Sequence, residues 1–528
     1  MELIETEVEQ GRLLGIRPAP DLAAFLGVPY AAPPVGPRRF LPALPPAGWT
    51  GVRPATAYAP SSVQPPPDPA SAVPGDPMEQ SEDCLYLNVW TPGTDESKRP
   101  VMVWIHGGGY VGGSPSSALY SGQSLSREGV VVVTVGYRLG VLGWLGHPAL
   151  AAGDGELCSN WGLSDQLAAL SWIRRNAAAF GGDPENVTVF GESAGAISIA
   201  ALLAGDRPRE SFDRAIMQSG APMALSLEAA SRVAEELAAV LGLTRLERRL
   251  LENVPTSEIL RAQSAIRQRL SGDVLAFQPV VDGLLLPGEP AGRIASGSAA
   301  GVDLLIGTNR DEWRFWLLTD PALRALDWAG AISKVEGSIR RAGLGERLGA
   351  AELVESYKNW RLERGEPAEP ADVYCAIASD WTFRLPSMRL AEAQAESGGR
   401  VSAYLFDWES PLFEGRVGAC HAIELPFVFG TLDHPFITLF SGGGELADRL
   451  SGAMRSAWAS FATSGDASSE LVGPWPAYGR RDRLTKRLGR EIETISAPFE
   501  PERRLLDEAF PVYGDPTAVG SSCAVEGT

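Results

Sequence analysis

Hydrophobic residues occur along the chain in short continuous runs that predict buried strands. These runs lie at 85–90, 101–105, 130–135, 187–190, 215–218, 302–307 and 401–406. Continuous β-branched runs are typical of strands covered on both faces, as in a parallel sheet. Between two of them, apolar residues spaced three and four apart at 167–177 predict a helix. Strands that alternate with helices indicate an α/β fold, with ligands expected at the carboxyl ends of the strands.

The remaining segments predict loops, insertions and a tail. Paired prolines such as Pro33-Pro34 indicate that the first hundred residues are rich in loops. Two stretches, at about 225–275 and 320–395, are helical in composition, and we expect them to be insertions beside the sheet. No repeat or charged linker divides the sequence, so we expect one domain over residues 1–528 with a flexible tail at about 515–528.

Composition and charge narrow the class of protein. The chain of 528 residues carries 46 Lys and Arg against 65 Asp and Glu, a formal net charge of −19, which disfavours nucleic acid and anionic membranes as partners. Five scattered cysteines predict neither a disulfide scaffold nor a zinc cluster. The first residues lack a signal-peptide pattern, and no run is long enough to span a membrane. We therefore expect a cytoplasmic protein, as a monomer or a weak homodimer.

The pentapeptide Gly191-Glu192-Ser193-Ala194-Gly195 is the first candidate for chemistry. It follows the strand predicted at 187–190, and the small residues after it can begin a helix. A serine on such a tight turn presents its hydroxyl outward, and small neighbours allow the backbone to turn. A surface Gly-Ser turn is the alternative, which the strand and helix on either side disfavour. We predict that Ser193 is a nucleophile.

A glycine loop, His106-Gly107-Gly108-Gly109, directly follows the strand predicted at 101–105. Successive glycines let backbone N–H groups approach a substrate oxygen, as an oxyanion hole requires. A phosphate-binding loop is the competing interpretation, but the sequence pattern of a nucleotide-binding loop is absent here. The loop therefore favours acyl chemistry.

A nucleophilic serine needs a base, and the sequence offers four histidines. His106 belongs to the glycine loop, and His147 and His434 each precede proline, which suits turns. His421 remains, in a loop after the strand predicted at 401–406. Although a lone histidine is more often a core residue, elimination favours His421 as the base.

A carboxylate should follow a strand between the serine and the histidine, because hydrolases of this type have the order Ser, acid, His. The strand predicted at 302–307 leads to Asp311 and Glu312. Neighbouring side chains diverge, so only one of the two can orient the imidazole. Either can instead pair with Arg310 or Arg314, and the residues alone leave the choice open.

Taken together, the motifs resemble those of the type-B carboxylesterases, the cholinesterase-like branch of the α/β-hydrolases that includes bacterial para-nitrobenzyl esterases. Several further segments carry the resemblance in the right order. They are Phe25-Leu-Gly-Val-Pro-Tyr-Ala31, Ser81-Glu-Asp-Cys-Leu-Tyr-Leu-Asn-Val-Trp90, Phe180-Gly-Gly-Asp-Pro-Glu-Asn-Val-Thr188 and Gln218-Ser219-Gly220. The resemblance implies an α/β-hydrolase fold, with a large, mostly parallel central sheet flanked by helices and helical insertions near the active site.

The resemblance also assigns roles to residues. It implies that Ser193, Glu312 and His421 form a catalytic triad, with Glu312 rather than Asp311 as the acid. It implies an oxyanion hole made of the backbone amides of Gly108, Gly109 and Ala194. It also places Glu192 and Ser219 near the triad, and ordinary structural hydrogen bonding is the alternative role for these two. Secreted members pair the cysteine at the position of Cys84 with one upstream, and no cysteine precedes Cys84 here, which agrees with an intracellular protein.

The implied activity is hydrolysis of a small carboxylic ester without a metal or organic cofactor. Cleavage of amides or carbamates by the same triad is one alternative, and a non-catalytic cholinesterase-like binding module is another. Retention of all three triad residues disfavours the binding module. Aromatic residues near the motifs are candidates for an apolar pocket, of which we expect two or three at most to touch substrate.

Overall fold

The computed structural model describes residues 2–66, 79–153, 155–269, 275–342, 344 and 347–509. The tail expected at 515–528 lies outside these residues. Within them, a large sheet forms the centre of the molecule, and helices cover both of its faces.

The described residues form seventeen strands, of which thirteen belong to the central sheet. The strands are β1 (Glu2–Val8), β2 (Gly11–Ala19), β3 (Leu22–Pro29), β4 (Val52–Pro54), β5 (Ser61–Ser62), β6 (Gln80–Ser81), β7 (Tyr86–Thr91), β8 (Arg99–Ile105), β9 (Val131–Val135), β10 (Gly182–Glu192), β11 (Arg214–Gln218), β12 (Leu225–Ser226), β13 (Val280–Val281), β14 (Asp303–Asn309), β15 (Val401–Phe406), β16 (Leu484–Leu488) and β17 (Ile492–Ser496). Their order in the sheet is β1-β2-β3-β7-β9-β8-β10-β11-β14-β15-β16-β17, with β4 beside β2.

The middle of the sheet is parallel and its two margins are antiparallel. From β9 through β8, β10, β11, β14 and β15 to β16, every neighbouring pair runs parallel, and β1, β2, β3, β7 and β17 join antiparallel. Parallel strands end at the same edge of a sheet, so the loops after β8, β10, β11, β14 and β15 lie close together. Those loops carry the chemical motifs of the sequence.

Helices cover both faces of the sheet, and further helices form within the two stretches predicted to be helical, at about 225–275 and 320–395. They are α1 (Gln123–Ser126), α2 (Gly140–Trp144), α3 (Trp161–Asn176), α4 (Ala194–Leu203), α5 (Leu227–Val240), α6 (Arg248–Glu252), α7 (Thr256–Arg269), α8 (Pro290–Ala295), α9 (Pro321–Arg324), α10 (Trp328–Arg341), α11 (Ala350–Glu363), α12 (Pro370–Ser379), α13 (Leu385–Glu396), α14 (Leu425–Phe429), α15 (Pro435–Ser441), α16 (Glu445–Ser464) and α17 (Glu500–Ala509). A π-helical turn at Asp380–Arg384 joins α12 to α13.

The alternation of side chains along β8 divides the core in two. Val103 and Ile105 pack with α3 and α4 on one face, and Met102 and Trp104 pack with α14 and α16 on the other. A third cluster of buried residues lies among α9 to α13 and includes Leu506 of α17. The helices between β14 and β15 therefore pack around a core of their own.

The expectation that the first hundred residues are rich in loops is wrong for residues 2–29, which form β1, β2 and β3. The paired prolines behind that expectation begin at Pro33, after β3 has ended. β1 lies at the edge of the sheet and exposes much of its surface, so its apolar signal is weak. Edge strands commonly carry charged side chains, which discourage pairing with another chain.

Candidate active site

Ser193 occupies a sharp turn between β10 and α4. Its backbone has φ +54° and ψ −123°, a conformation that residues with a side chain rarely adopt. The turn is fixed by the Ser193 amide, which donates to Gln218 O at 2.9 Å. Gly195 allows the close approach of β8, because a Cβ there would lie 2.0 Å from Ile105 O. The turn thus places the Ser193 hydroxyl at the carboxyl end of the sheet.

Glu312 and His421 form a buried pair at the ends of β14 and β15. His421 Nδ1 lies 2.7 Å from Glu312 Oε2, and the carboxylate must accept this hydrogen bond. The other carboxylate oxygen, Oε1, accepts from the amide of Asn309 at 2.7 Å, and the amide of His421 donates to Glu312 O at 3.2 Å. Both residues are therefore fixed by backbone as well as side-chain contacts.

Asp311, the other acid that the sequence left open, has different partners. Its Oδ2 lies 2.8 Å from Arg310 Nη2 and accepts from the amide of Ala419 at 3.1 Å. Burial raises the pKa of Asp311, but the guanidinium groups of Arg310 and Arg314 outweigh burial and lower it. Asp311 holds the loop that leads to His421, and Glu312 is the acid that contacts the imidazole.

Glu192 lies on the other side of the imidazole from Glu312. Its Oε1 is 3.0 Å from His421 Nε2, which is ion-pair distance when the imidazole is protonated. Burial raises the pKa of Glu192. Burial alone would lower the pKa of His421, but the Glu192 and Glu312 carboxylates outweigh it and raise that pKa well above the ordinary value.

The oxygen of Ser193 makes no hydrogen bond with the described residues. The structure therefore brings Glu312 and His421 into direct contact, and among the described residues it shows no hydrogen bond between Ser193 and His421. Catalytic hydrogen bonds are often long before substrate binds.

Ser219, φ +51°, follows β11 and is fully buried, and its hydroxyl has no partner in the described part of the chain.

Another buried carboxyl group at the site, Glu424, was missed by the sequence analysis. It accepts from Asn309 Nδ2 at 2.6 Å and from Gln218 Nε2 at 3.1 Å. Burial, followed by the charges of Glu192 and Glu312, raises the pKa of Glu424 to about 8. The available signal was a single acid within the apolar run that follows His421. Asn309 Nδ2 also donates to Cys420 O at 2.8 Å, so the Asn309 side chain links Glu424 to the backbone next to His421.

The glycine loop lies beside Ser193 at the end of β8. A Cβ on Gly107 would lie 2.7 Å from Glu192 Oε2 and 3.1 Å from Ser193 Cβ, so only glycine fits there. No oxygen of the described residues accepts a hydrogen bond from the amides of Gly108 or Gly109. Ala194 is the first residue of α4, so its amide has no partner within the helix. Three candidate donors thus remain available.

The other histidines have structural environments. His106 stacks on Tyr137 with ring centroids 4.5 Å apart, and burial lowers the pKa of His106 to about 4. His147 Nδ1 accepts from the amide of Ala149 at 3.0 Å. His434 precedes α15. Of the four histidines, His421 is the one that contacts Glu312.

Aromatic rings surround the imidazole of His421. The ring centroids of Phe383, Trp316 and Phe315 lie 4.8, 5.5 and 6.1 Å from that of His421. Phe383 belongs to the π-helical turn between α12 and α13, and the other two follow β14. By contrast, Phe427 and Phe429 are fully buried in the core. Three rings therefore form an apolar wall beside the imidazole.

Comparison with known proteins gives a consistent result. A sequence model described as the carboxylesterase family matches residues 2–503. The para-nitrobenzyl esterase of Bacillus subtilis (strain 168) is 40% identical over 492 residues, which cover 93% of this chain and 95% of that protein. A phenmedipham hydrolase of Pseudarthrobacter oxydans is 36% identical over 486 residues, or 89% of this chain and 92% of that protein.

Solved structures agree. A PNB esterase superposes with a TM-score of 0.80 at 37% identity, covering 95% of this chain and 99% of the other. A carboxylesterase of Geobacillus stearothermophilus, solved at pH 6.2, gives 0.82 at 36% identity with the same coverage. The fold is the α/β-hydrolase fold, and the protein is a carboxylic ester hydrolase. The chain belongs to the carboxylesterase family.

The described residues contain no helix that is both long enough and apolar enough to cross a membrane.

Proposed function

We propose that the protein hydrolyses small carboxylic esters through an acyl-enzyme intermediate on Ser193, with His421 as base and Glu312 as the acid that orients it. The observation that carries the proposal is the 2.7 Å contact between His421 Nδ1 and Glu312 Oε2, beside a serine on a strained turn. A carboxylate at Nδ1 keeps the proton on that nitrogen, so Nε2 is free to accept one.

The first half of the reaction acylates the serine. Ser193 Oγ bonds to the ester carbonyl carbon, its proton passes to His421 Nε2, and the carbonyl electron pair moves onto oxygen. The amides of Gly108, Gly109 and Ala194 bind this oxyanion. When the electron pair returns, the bond to the alcohol oxygen breaks, and that oxygen takes the proton from His421.

The second half releases the acid. Water gives a proton to His421 Nε2 and bonds to the acyl carbon, and collapse of the second oxyanion returns the proton to Ser193 Oγ. The buried carboxylates Glu192 and Glu312 stabilise the imidazolium formed in each half. Because both carboxylates and the imidazole are buried, these fixed charges act more strongly than they would in solution.

Hydrolysis of para-nitrophenyl esters from acetate to decanoate tests the proposal. We expect turnover that is lost in Ser193→Ala and kept in Ser296→Ala, a surface serine on the far end of α8. Loss of Ser193 should reduce kcat by about 10⁴-fold or more. Turnover that survives in folded Ser193→Ala would refute the assignment of the nucleophile.

A carbamate is the second candidate substrate, because the same groups can attack its carbonyl and one relative is a phenmedipham hydrolase. An aryl carbamate assayed beside the ester series measures the preference. We expect a higher kcat/KM for esters, since the carbamate nitrogen donates electrons to the carbonyl carbon and makes it a poorer electrophile.

A further inference from the structure

The loop that offers two of the three candidate oxyanion donors has little internal support. Its backbone folds back at Gly108 O, which accepts from the amides of Val111 at 3.2 Å and Gly112 at 3.1 Å. Gly108, Gly109, Tyr110 and Gly113 have φ of +114°, +60°, +62° and +104°. Positive φ at four positions leaves the loop outside any regular hydrogen-bonded structure, so its shape must be fixed from outside.

Gln64, from the segment that follows β5, supplies such a contact. Its Oε1 accepts from the amide of Gly113 at 2.9 Å, and its Nε2 donates to Gly113 O at 2.9 Å. Nε2 also donates to Ser62 O at 3.0 Å, which ties the side chain to its own segment. One amide side chain thus satisfies both backbone groups of Gly113, as a paired strand would.

Gly113 is in close contact with the part of the loop that faces Ser193. A Cβ at Gly113 would lie 2.4 Å from Gly107 O and 2.5 Å from His106 Nδ1. A Cβ at Gly108 would lie 2.2 Å from Gly112 O. The two ends of the loop therefore touch, and a shift of Gly113 changes the positions of Gly107 and Gly108.

We propose that Gln64 is a positioning residue for the oxyanion hole: its side-chain amide fixes Gly113, and through it the amides of Gly108 and Gly109. The inference rests on the function proposed above. Oxyanion donors act at 2.7–3.1 Å from the position of the developing charge, and an error of about 1 Å in such a position costs up to ~10²-fold in rate. Fixing the loop before substrate arrives keeps the donors at that distance.

The chemistry of the contact explains why glutamine is needed. Gly113 presents one donor and one acceptor, and only an amide side chain of this length matches both. In Gln64→Glu, an ionised carboxylate still accepts from the Gly113 amide but opposes its carbonyl oxygen. In Gln64→Ala both contacts are lost.

The test compares the wild type, Gln64→Ala and Gln64→Glu with Gln394→Ala. Gln394 is the matched control, because its buried amide also bridges backbone groups, Ala299 O at 2.9 Å and Val302 O at 2.7 Å, at the far end of the sheet. Two quantities are measured: kcat and KM on a para-nitrophenyl ester, and the inhibition constant of a trifluoromethyl ketone. That ketone bonds to Ser193 Oγ and places its anionic oxygen in the oxyanion hole.

We expect both Gln64 variants to lose about 10-fold or more in kcat with KM little changed, and to bind the trifluoromethyl ketone weaker by a similar factor. Gln394→Ala should lower the melting temperature and leave both quantities near the wild-type values. The inference is overturned if Gln64→Glu, folded by circular dichroism, keeps wild-type kcat and ketone affinity, or if both Gln64 variants change only in melting temperature as the control does. A wild type that hydrolyses no ester would instead refute the proposed function.

Discussion

Oε1 of Glu192 lies 3.0 Å from Nε2 of His421. This nitrogen is the one that must exchange protons with Ser193 and the leaving alcohol in the proposed mechanism. Burial lowers the pKa of His421, but the nearby charge of Glu192 raises it. In the proposed mechanism, a carboxylate next to Ser193 therefore makes the imidazole a stronger base.

The variant Glu192→Gln removes that negative charge. Without it, the pKa of His421 falls, so the proton leaves Nε2 at lower pH and the acid limb of kcat/KM moves to lower pH, by about one unit or more. A pH profile on one ester measures the shift, and kcat on the plateau should fall as the imidazolium loses a partner. An acid limb that stays in place would show that the charge does not reach the imidazole.

Substitutions of the adjacent acids Asp311 and Glu312 should have different effects on kcat. Glu312→Gln allows the wrong tautomer of His421 and should lower kcat by about 10⁴-fold with little change in KM. Asp311→Asn breaks the ion pair with Arg310 and should mainly lower the melting temperature. Steady-state kinetics and thermal denaturation of both variants measure the difference, and equal losses of kcat would contradict the distinction.

Glu424→Gln should change how stability depends on pH. The pKa of Glu424 is about 8 in the folded protein and near 4.5 in the unfolded chain. Between pH 4.5 and pH 8, the folded protein therefore keeps a proton on Glu424 that the unfolded chain releases. Burial of this group therefore costs the wild type stability as pH rises through that window, by at most about 1.4 kcal/mol per pH unit. Glutamine has no such proton to lose.

We expect the unfolding free energy of Glu424→Gln, relative to the wild type, to increase from about pH 5 to pH 8. Urea denaturation of both proteins at several pH values across this range measures the difference. A constant difference would mean that Glu424 is already ionised in the folded protein.

Ser62→Cys should create a disulfide with Cys84. The side chain of Ser62 interacts with the buried thiol of Cys84, so we expect a second sulfur at position 62 to come within bonding distance of it. Closing this loop should stabilise the oxidised variant by about 3 kcal/mol. The unfolding free energy of the same variant is measured with and without reductant, and the reduced form is the control. A number of free thiols that does not fall on oxidation would contradict the prediction.

The prediction that Ser193 is a nucleophile rests on local sequence, and the prediction that His421 is the base rests on the small number of histidines in the chain. The turn at Ser193 needs only small neighbours between a strand and a helix, and all of these are contiguous in sequence. The resemblance to the family selected Glu312 over Asp311, but the residues alone could not. That choice depends on which side chain points toward a residue more than a hundred positions away, which follows from β14 and β15 lying side by side.

Glu424 and Gln64 escaped the sequence analysis because their importance comes from partners distant in the chain. An acid in an apolar run is unusual, but its contacts with Asn309 and Gln218 come from two other strands. Gln64 sits among prolines in a segment that composition marks as a surface loop, and only the fold brings it to Gly113. Similarly, β1 was not predicted because this strand at the edge of the sheet contains many polar residues.

The helices between β14 and β15 have a separate core, yet the π-helical turn among them places Phe383 against His421. The buried cluster among these helices is distinct from the two clusters at the central sheet, although Leu390 and Ala391 of α13 belong to one of the latter. We therefore expect substitutions among these helices to alter the wall beside the imidazole more readily than they alter the sheet. Under the proposed function, substrate range and catalytic chemistry would then depend on different parts of one chain.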